Sequence, residues 1–244
     1  MNKYKLRFKP YGSIAMLIEW PKVINRDILK NRILFKRKIK TEMADYLLDT
    51  VPAYNSLTVF FDTSKIKYSG VVKKAKEIYE MEYKDLKLTY KLWKIPVCYD
   101  ESFGIDLKEM ARSKNMSKDE IIQLHSRSIY DVHFIGFLPG FIYLGGLPEE
   151  IHFDRKAKPR QKIEKGAVGI AGGQTGIYPR ESPGGWNIIG NSPLEFFEIG
   201  QDRPCFASAG DKLQFISVDK KEYDRIKKKV KSGTYIIESK NYGQ

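Results

Sequence analysis

Between Gly136 and Gly190 the chain carries twelve of its 19 glycines and five of its 11 prolines. That density excludes long helices, because Gly costs about 1 and Pro about 3 kcal/mol in a helix interior. It predicts short strands joined by tight turns. The stretch opens at His133 as HFIGFLPGFIYLGGLP, continues as VGIAGGQTGIYPRESPGGW and closes as NIIG. Phe137, Phe141, Tyr143, Tyr178 and Trp186 interleave with the glycines, and Arg160, Gln174, Thr175, Arg180, Ser182 and Asn187 add polar groups. Aromatic walls with a few convergent polar groups suit a small-molecule site. The same set suits a peptide groove, or a barrel that needs glycine at its bends. Composition leaves these open.

A chain of 244 residues, 42% hydrophobic, suits one large or two ordinary domains. No run approaches the roughly 20 apolar residues of a membrane span. MNKYKLRFKP lacks the apolar centre of a signal peptide. The expectation is a cytoplasmic protein with no membrane partner. Cys98 and Cys205 stand far apart, without CxxC spacing, and read as buried apolar thiols. Residues 1–40 hold twelve Lys or Arg against Glu19 and Asp27, and residues 219–244 hold eight against four acids, so the middle is near neutral. A nucleic-acid binder would mix its bases with its aromatics, and this chain separates them. The basic ends read as solvated faces, with a docking face for an acidic partner as the alternative.

Residues 3–12 and 13–20 read as strands, and Asn25 as the cap of a basic helix running to Lys40. Residues 45–62 read as two strands around a turn at Pro52–Ser56. Ser69 is expected to cap a helix with Val71, Val72, Ala75, Ile78 and Tyr79 on one face. This order predicts a small α+β domain of ferredoxin-like kind over residues 1–88, with its boundary near Tyr83–Lys91. Residues 89–244 form the second domain. Asp106 with Glu109, and Ser117 with Glu120, have capping-box spacing. Strands and turns follow to Val218, then a basic helix opened by Asp219 and a final strand over 233–239.

Standard motifs are missing: no P-loop, no HExxH, no zinc spacing and no GxSxG. His125 closes a helix, whose dipole would stabilise an imidazolium fit for proton transfer. The alternative is a histidine that caps carbonyls. His133 reads as a core histidine. Arg160, after Pro159, is a candidate carboxylate clamp, or else a surface residue beside Arg155, Lys156 and Lys158. Thr175 and Ser182 either donate to a ligand or stabilise turns, and Trp186 either stacks on a ligand or seals the core.

In this order, GFLPGFIYLGGLP (136–148), Pro159-Arg160, GAVGIAGGQTGIYP (166–179) and SPGGWNIIG (182–190) resemble the signature of one bacterial family. VPAYNSL (51–57) and the helix ending at Leu124-His125 are similar to it too. The family includes the B subunit of prokaryotic 5-oxoprolinase, the sporulation-kinase inhibitor KipI, and allophanate hydrolase subunit 1, a carboxyltransferase-like relative of urea carboxylase. The resemblance implies a mainly-β, cyclophilin-like barrel after the ferredoxin-like domain, without prolyl isomerase activity. It implies a component, inactive alone, that works with the C and A subunits of 5-oxoprolinase to hydrolyse 5-oxo-L-proline to L-glutamate at the expense of ATP. The inhibitor branch implies a histidine kinase as partner instead. Carried onto this sequence, it makes His125, Arg160 and Ser182 the catalytic group. Phe137, Pro139, Gly140, Gln174, Thr175, Tyr178 and Trp186 become substrate-binding residues, and no metal is implied. Arg160 would hold the ring carboxylate, Thr175 or Ser182 with backbone N–H groups would stabilise charge on oxygen, and His125 would move a proton. Without a P-loop, ATP would occupy an unfamiliar site, shared with a partner. His133 and Lys165 depart from the pattern.

Overall fold

Leu57, Val59 and Phe61 alternate with half-buried neighbours and are all buried in the computed structural model, which describes residues 4–82 and 88–242. The chain divides into two units, Met1–Leu88 and Thr89–Gln244, each with its own core. The boundary expected at Tyr83–Lys91 falls mostly on 83–87, outside the described residues.

In the first unit, β1 (Arg7–Pro10), β2 (Ala15–Glu19), β3 (Leu47–Pro52) and β4 (Ser56–Phe61) form an antiparallel sheet of order β1-β2-β4-β3. Met16 and Ile18 of β2 stand opposite Val59 and Leu57 of β4, so one face is apolar. Helices α1 (Arg26–Glu42) and α2 (Tyr68–Glu80) bury Ile28, Phe35, Ile39, Val71, Ala75 and Ile78 with that face. Asn25 caps α1 by accepting from the Ile28 amide at 2.8 Å. The α1 charge run is only partly solvated: Arg32 is 1% exposed, and burial pulls its guanidinium down to about 10. Helix α2 starts before the expected cap at Ser69. Lys67, at the cap position, makes no side-chain hydrogen bond, and Ile66 and Tyr68 instead pack on the core.

In the second unit, β5 (Tyr90–Cys98) is followed by α3 (Leu107–Lys114) and α4 (Lys118–Arg127). Then come β6 (Ile129–Ile135), β7 (Ile142–Gly145), β8 (Arg160–Ile163), β9 (Ala167–Ala171), β10 (Gln174–Ile177), β11 (Ser182–Gly184), β12 (Asn187–Asn191) and β13 (Lys212–Val218). Helix α5 (Lys220–Lys231) and β14 (Ser239–Tyr242) end the unit. The order β12-β9-β10-β7-β6-β13-β5 closes on itself where Asn191 pairs with Cys98, giving a seven-stranded barrel. Closure removes the exposed strand edges that short strands would otherwise leave. β14 adds to β5 outside the ring, and β8 with β11 makes a separate ribbon. The last strand is shorter and later than the expected 233–239. Tyr235 and Ile237 pack against the core, and pairing with β5 begins at Ser239.

The strand period of two sorts side chains by face. Ile142, Leu144, Val168, Ile170, Ile177 and Ile189 fill the barrel. Ala167, Ala171 and Ile188 point outward into a second cluster with Phe141, Tyr178 and Trp186.

Candidate functional site

The outer cluster rests on two glycines. Gly169 and Gly176 pair directly across β9 and β10. A Cβ on Gly176 would lie 2.8 Å from the Ile142 carbonyl oxygen, 3.0 Å from Phe141 and 3.1 Å from Trp186, and one on Gly169 would lie 3.1 Å from Trp186. Bare backbone therefore lets both rings lie on the barrel wall. Phe141 meets Tyr178 and Trp186 edge to face at 5.0 and 5.4 Å between centroids, the arrangement ring quadrupoles favour. These three rings are buried, so this layer is filled; Trp186 seals the core. Burial pushes the Tyr178 phenol up to about 12 and keeps it neutral.

What faces solvent is the rim. Phe134 and Tyr143 are half-buried and stacked, 4.3 Å apart and 17° off parallel. Phe137 lies 5.7 Å from Phe141, is 62% exposed and has φ +65°. A bulky non-glycine residue in the left-handed region is strained, and such strain concentrates at binding surfaces. Its loop is closed by hydrogen bonds from the Gly136 amide to the Phe141 carbonyl and from the Phe141 amide to the Leu138 carbonyl. Pro139 is exposed on the same loop. Gly140 has φ +86°, and a Cβ there would lie 2.6 Å from Phe197 Cβ, so only glycine fits.

The ribbon carries the charged part. Gly184 pairs with Arg160, and Ser182 with Ile163. Arg160 donates both terminal nitrogens to Asp106, at 2.9 and 2.6 Å. Asp106 also accepts from the Ile188 amide at 2.7 Å and pairs with Lys156 at 2.9 Å. Burial alone would raise the Asp106 carboxyl. Arg160, the Ile188 amide and Lys156 outweigh it and hold it below its ordinary value. Two expectations change here. The carboxylate serves these donors and makes no side-chain cap on α3. The Arg160 fork is already filled by Asp106, so Arg160 positions β8 rather than waiting for a ligand carboxylate. Ser182 is 9% exposed, and its Oγ has no hydrogen-bond partner among the described residues.

His125 and Thr175 lie on the other side of the wall. Both are fully buried. His125 Nδ1 is 2.7 Å from the Tyr99 hydroxyl and Nε2 is 2.9 Å from Thr175 Oγ1. Thr175 donates to the Gly169 carbonyl at 3.0 Å. One proton arrangement satisfies every group: Tyr99 O–H to Nδ1, Nε2–H to Thr175 Oγ1, and Thr175 O–H to Gly169. The ring also stacks on Phe215 at 4.4 Å. Burial lowers the imidazole to about 3. The helix-dipole argument for a stabilised imidazolium fails because desolvation is the larger effect. His125 and Thr175 tie α4 to the barrel core and do not face the outer site.

Tyr178 and Trp186 thus lie in the outer cluster, Phe137 joins it through Phe141 with Pro139 and Gly140 on the same loop, and Arg160 and Ser182 lie on the ribbon whose Ile163 packs there. Gln174 joins them by alternation, two positions from Gly176, and is half-buried. Tyr143, which stacks with Phe134, packs on the outer cluster, and Asp106 holds Arg160 of the ribbon. Asp106 is 54 residues from Arg160, and no local pattern marks that pairing. A cavity of about 650 Å³ lies away from this region, beside α5, and one of about 290 Å³ borders it, where Phe103 and Ile105 meet Ile163, Ala167 and Ile188 of the outer cluster. Among the described residues no cluster of three His, Cys, Asp or Glu could hold a metal ion, and no helix is long and apolar enough to cross a membrane.

Residues 6–207 match the family described as carboxyltransferase domain, subdomain C and D. The chain belongs to this family. It is 34% identical over 235 residues to the B subunit of 5-oxoprolinase from Bacillus subtilis, covering 91% of this chain and 97% of that protein. It is 39% identical over 183 residues to the protein of the same name from Haemophilus influenzae, covering 75% and 84%. Its fold is similar to part of the K. lactis urea amidolyase structure, with a TM-score of 0.86 over 98% of this chain at 17% identity. There it spans 16% of the longer protein, and the likeness concerns the fold alone.

Proposed function

We propose that this chain is the B subunit of an ATP-dependent 5-oxoprolinase, hydrolysing 5-oxo-L-proline to L-glutamate together with the C and A subunits. The observation that carries this is the near end-to-end match to the Bacillus subtilis protein. The barrel is read as cyclophilin-like and the first unit as ferredoxin-like in this family.

The outer region has the parts of a half-site. A lactam ring would lie on the Phe134–Tyr143 stack with Phe137 as a lid, and Ser182 Oγ would offer a hydrogen bond. Asp106 and Arg160 hold the ribbon beside it. The groups best placed here bind and position, so a partner protein would supply the reacting groups, and the chain alone would not turn over. The fit to ATP is poor. The rim of the larger cavity mixes Glu195 and Glu198 with its lysines, which opposes a triphosphate. On this reading the nucleotide is held by the other components of the complex.

The test is reconstitution of the purified chain with the C and A subunits, measuring glutamate release from 5-oxoproline and ADP formation. Ser182→Ala removes an unpaired buried hydroxyl, so its stability should equal or exceed wild type, while turnover falls. No turnover by the complete wild-type complex, with tight binding to a histidine-kinase helical domain, would overturn the proposal. So would carboxyl transfer of the urea-carboxylase kind, the reading that the carboxyltransferase family suggests.

A further inference from the structure

The larger cavity, about 650 Å³, is walled by residues 192–195, α5 and residues 233–237. Its volume lies in the usual range for small-molecule pockets. Val230 and Leu194 give it apolar surface, and Tyr223 and Tyr235 also line it. The Tyr223 hydroxyl is committed to Asn191 at 2.9 Å and its ring packs against Phe103, 4.6 Å between centroids, so this side chain, 4% exposed, gives the cavity only a small part of its ring. Lys227 and Lys231 stand one helical turn apart at the rim, both exposed. Neither makes an ion pair or hydrogen bond among the described residues, and Lys227 Nζ lies 5.8 Å from the Tyr223 ring centre. Lys165 is neutralised by Glu195 at 2.5 Å. Ser192 also lines the cavity, is 2% exposed, and its Oγ has no hydrogen-bond partner among the described residues.

Charge decides the ligand class. With Lys165 and Glu195 paired, Lys227 and Lys231 face Glu198, an excess of one positive charge. Helix α5 ends here, and the partial negative charge of a helix C-terminus disfavours a polyanion. A single anionic group is therefore favoured over a triphosphate. The ring-lined walls call for a flat apolar body, and one five-membered ring would leave most of this volume empty. We propose that this cavity binds a monoanionic organic acid with a flat aromatic or alicyclic body. Its ring lies between Tyr235 and Val230, and its acid group lies on Lys227 and Lys231. The site is separate from the outer aromatic face and does not rest on the 5-oxoprolinase reading.

The probe is 8-anilinonaphthalene-1-sulfonate, a flat monoanion, titrated by fluorescence into the full chain, with neutral N-phenyl-1-naphthylamine as the uncharged control. Wild type should show saturable one-site binding. Lys227→Ala with Lys231→Ala should weaken the anionic probe about tenfold, as expected for two partly screened charges, and leave the neutral probe unchanged. Lys228→Ala with Lys229→Ala removes the same charge from α5 outside the cavity and should change little. Val230→Trp should block both probes by filling the space. Since the lysine pairs are exposed, their comparison decides the matter even if Val230→Trp fails to fold. Absence of saturable binding by wild type, equal loss in the two lysine pairs, or full binding by a folded Val230→Trp protein would each overturn the proposal.

Discussion

Asp106→Asn tests the clasp that holds the ribbon to the barrel. The carboxylate is 2% exposed and takes two hydrogen bonds from Arg160, one from the Ile188 amide and an ion pair from Lys156. Asparagine keeps the shape but removes the charge and turns an NH2 group toward N–H donors. Breaking a buried pair costs about 3–5 kcal/mol when the remaining charge stays buried. Here the Arg160 and Lys156 side chains are 30% and 19% exposed and can rehydrate, so the expected loss is about 2–3 kcal/mol. With a urea slope of about 1–3 kcal/mol per molar, the midpoint should fall by roughly 0.7–3 M. Sign matters for the pH arm. The folded carboxyl lies below its ordinary value, so its stabilisation is complete above the unfolded value of about 3.9 and is lost as pH falls through the folded one. The gap between wild type and Asp106→Asn, followed by tryptophan fluorescence in urea, should be full at neutral pH and shrink in acid. Equal midpoints at neutral pH, or a gap that does not change in acid, would refute the reasoning.

His125→Phe should remove a pH slope. The folded imidazole sits at about 3, against about 6.5 when unfolded, so wild type loses stability as pH drops between these values. The difference between wild type and variant should change by about 1.4 kcal/mol per pH unit over that window; parallel urea profiles would show that the ring protonates in place. Gly176→Ala puts a methyl group 2.8 Å from a carbonyl oxygen and against Phe141 and Trp186, which should cost about 1–3 kcal/mol. Near-ultraviolet circular dichroism should report displaced aromatic rings, and a wild-type spectrum and midpoint would count against the glycine floor.

Local rules reached the elements of both units. Asn25 and Ser117 cap where their spacing predicts, and Leu57, Val59 and Phe61 bury as alternation requires. Where a tertiary partner competed, local rules failed. Asp106 has capping-box spacing, yet Arg160 and the Ile188 amide claim its oxygens. His125 ends a helix, yet enclosure by Phe215, Tyr99 and Thr175 lowers its pKa.

The amino-acid order alone determined that residues 136–190 would be short strands and turns with aromatic rings among them, because Gly and Pro penalties and the strand period are local. It also held the ordered motifs that mark the family. Only the tertiary structure decided which side of the barrel wall each side chain would occupy. That depends on strand register and barrel closure, which put His125 and Thr175 in the interior and leave Phe137, Tyr143 and Ser182 in the outer region.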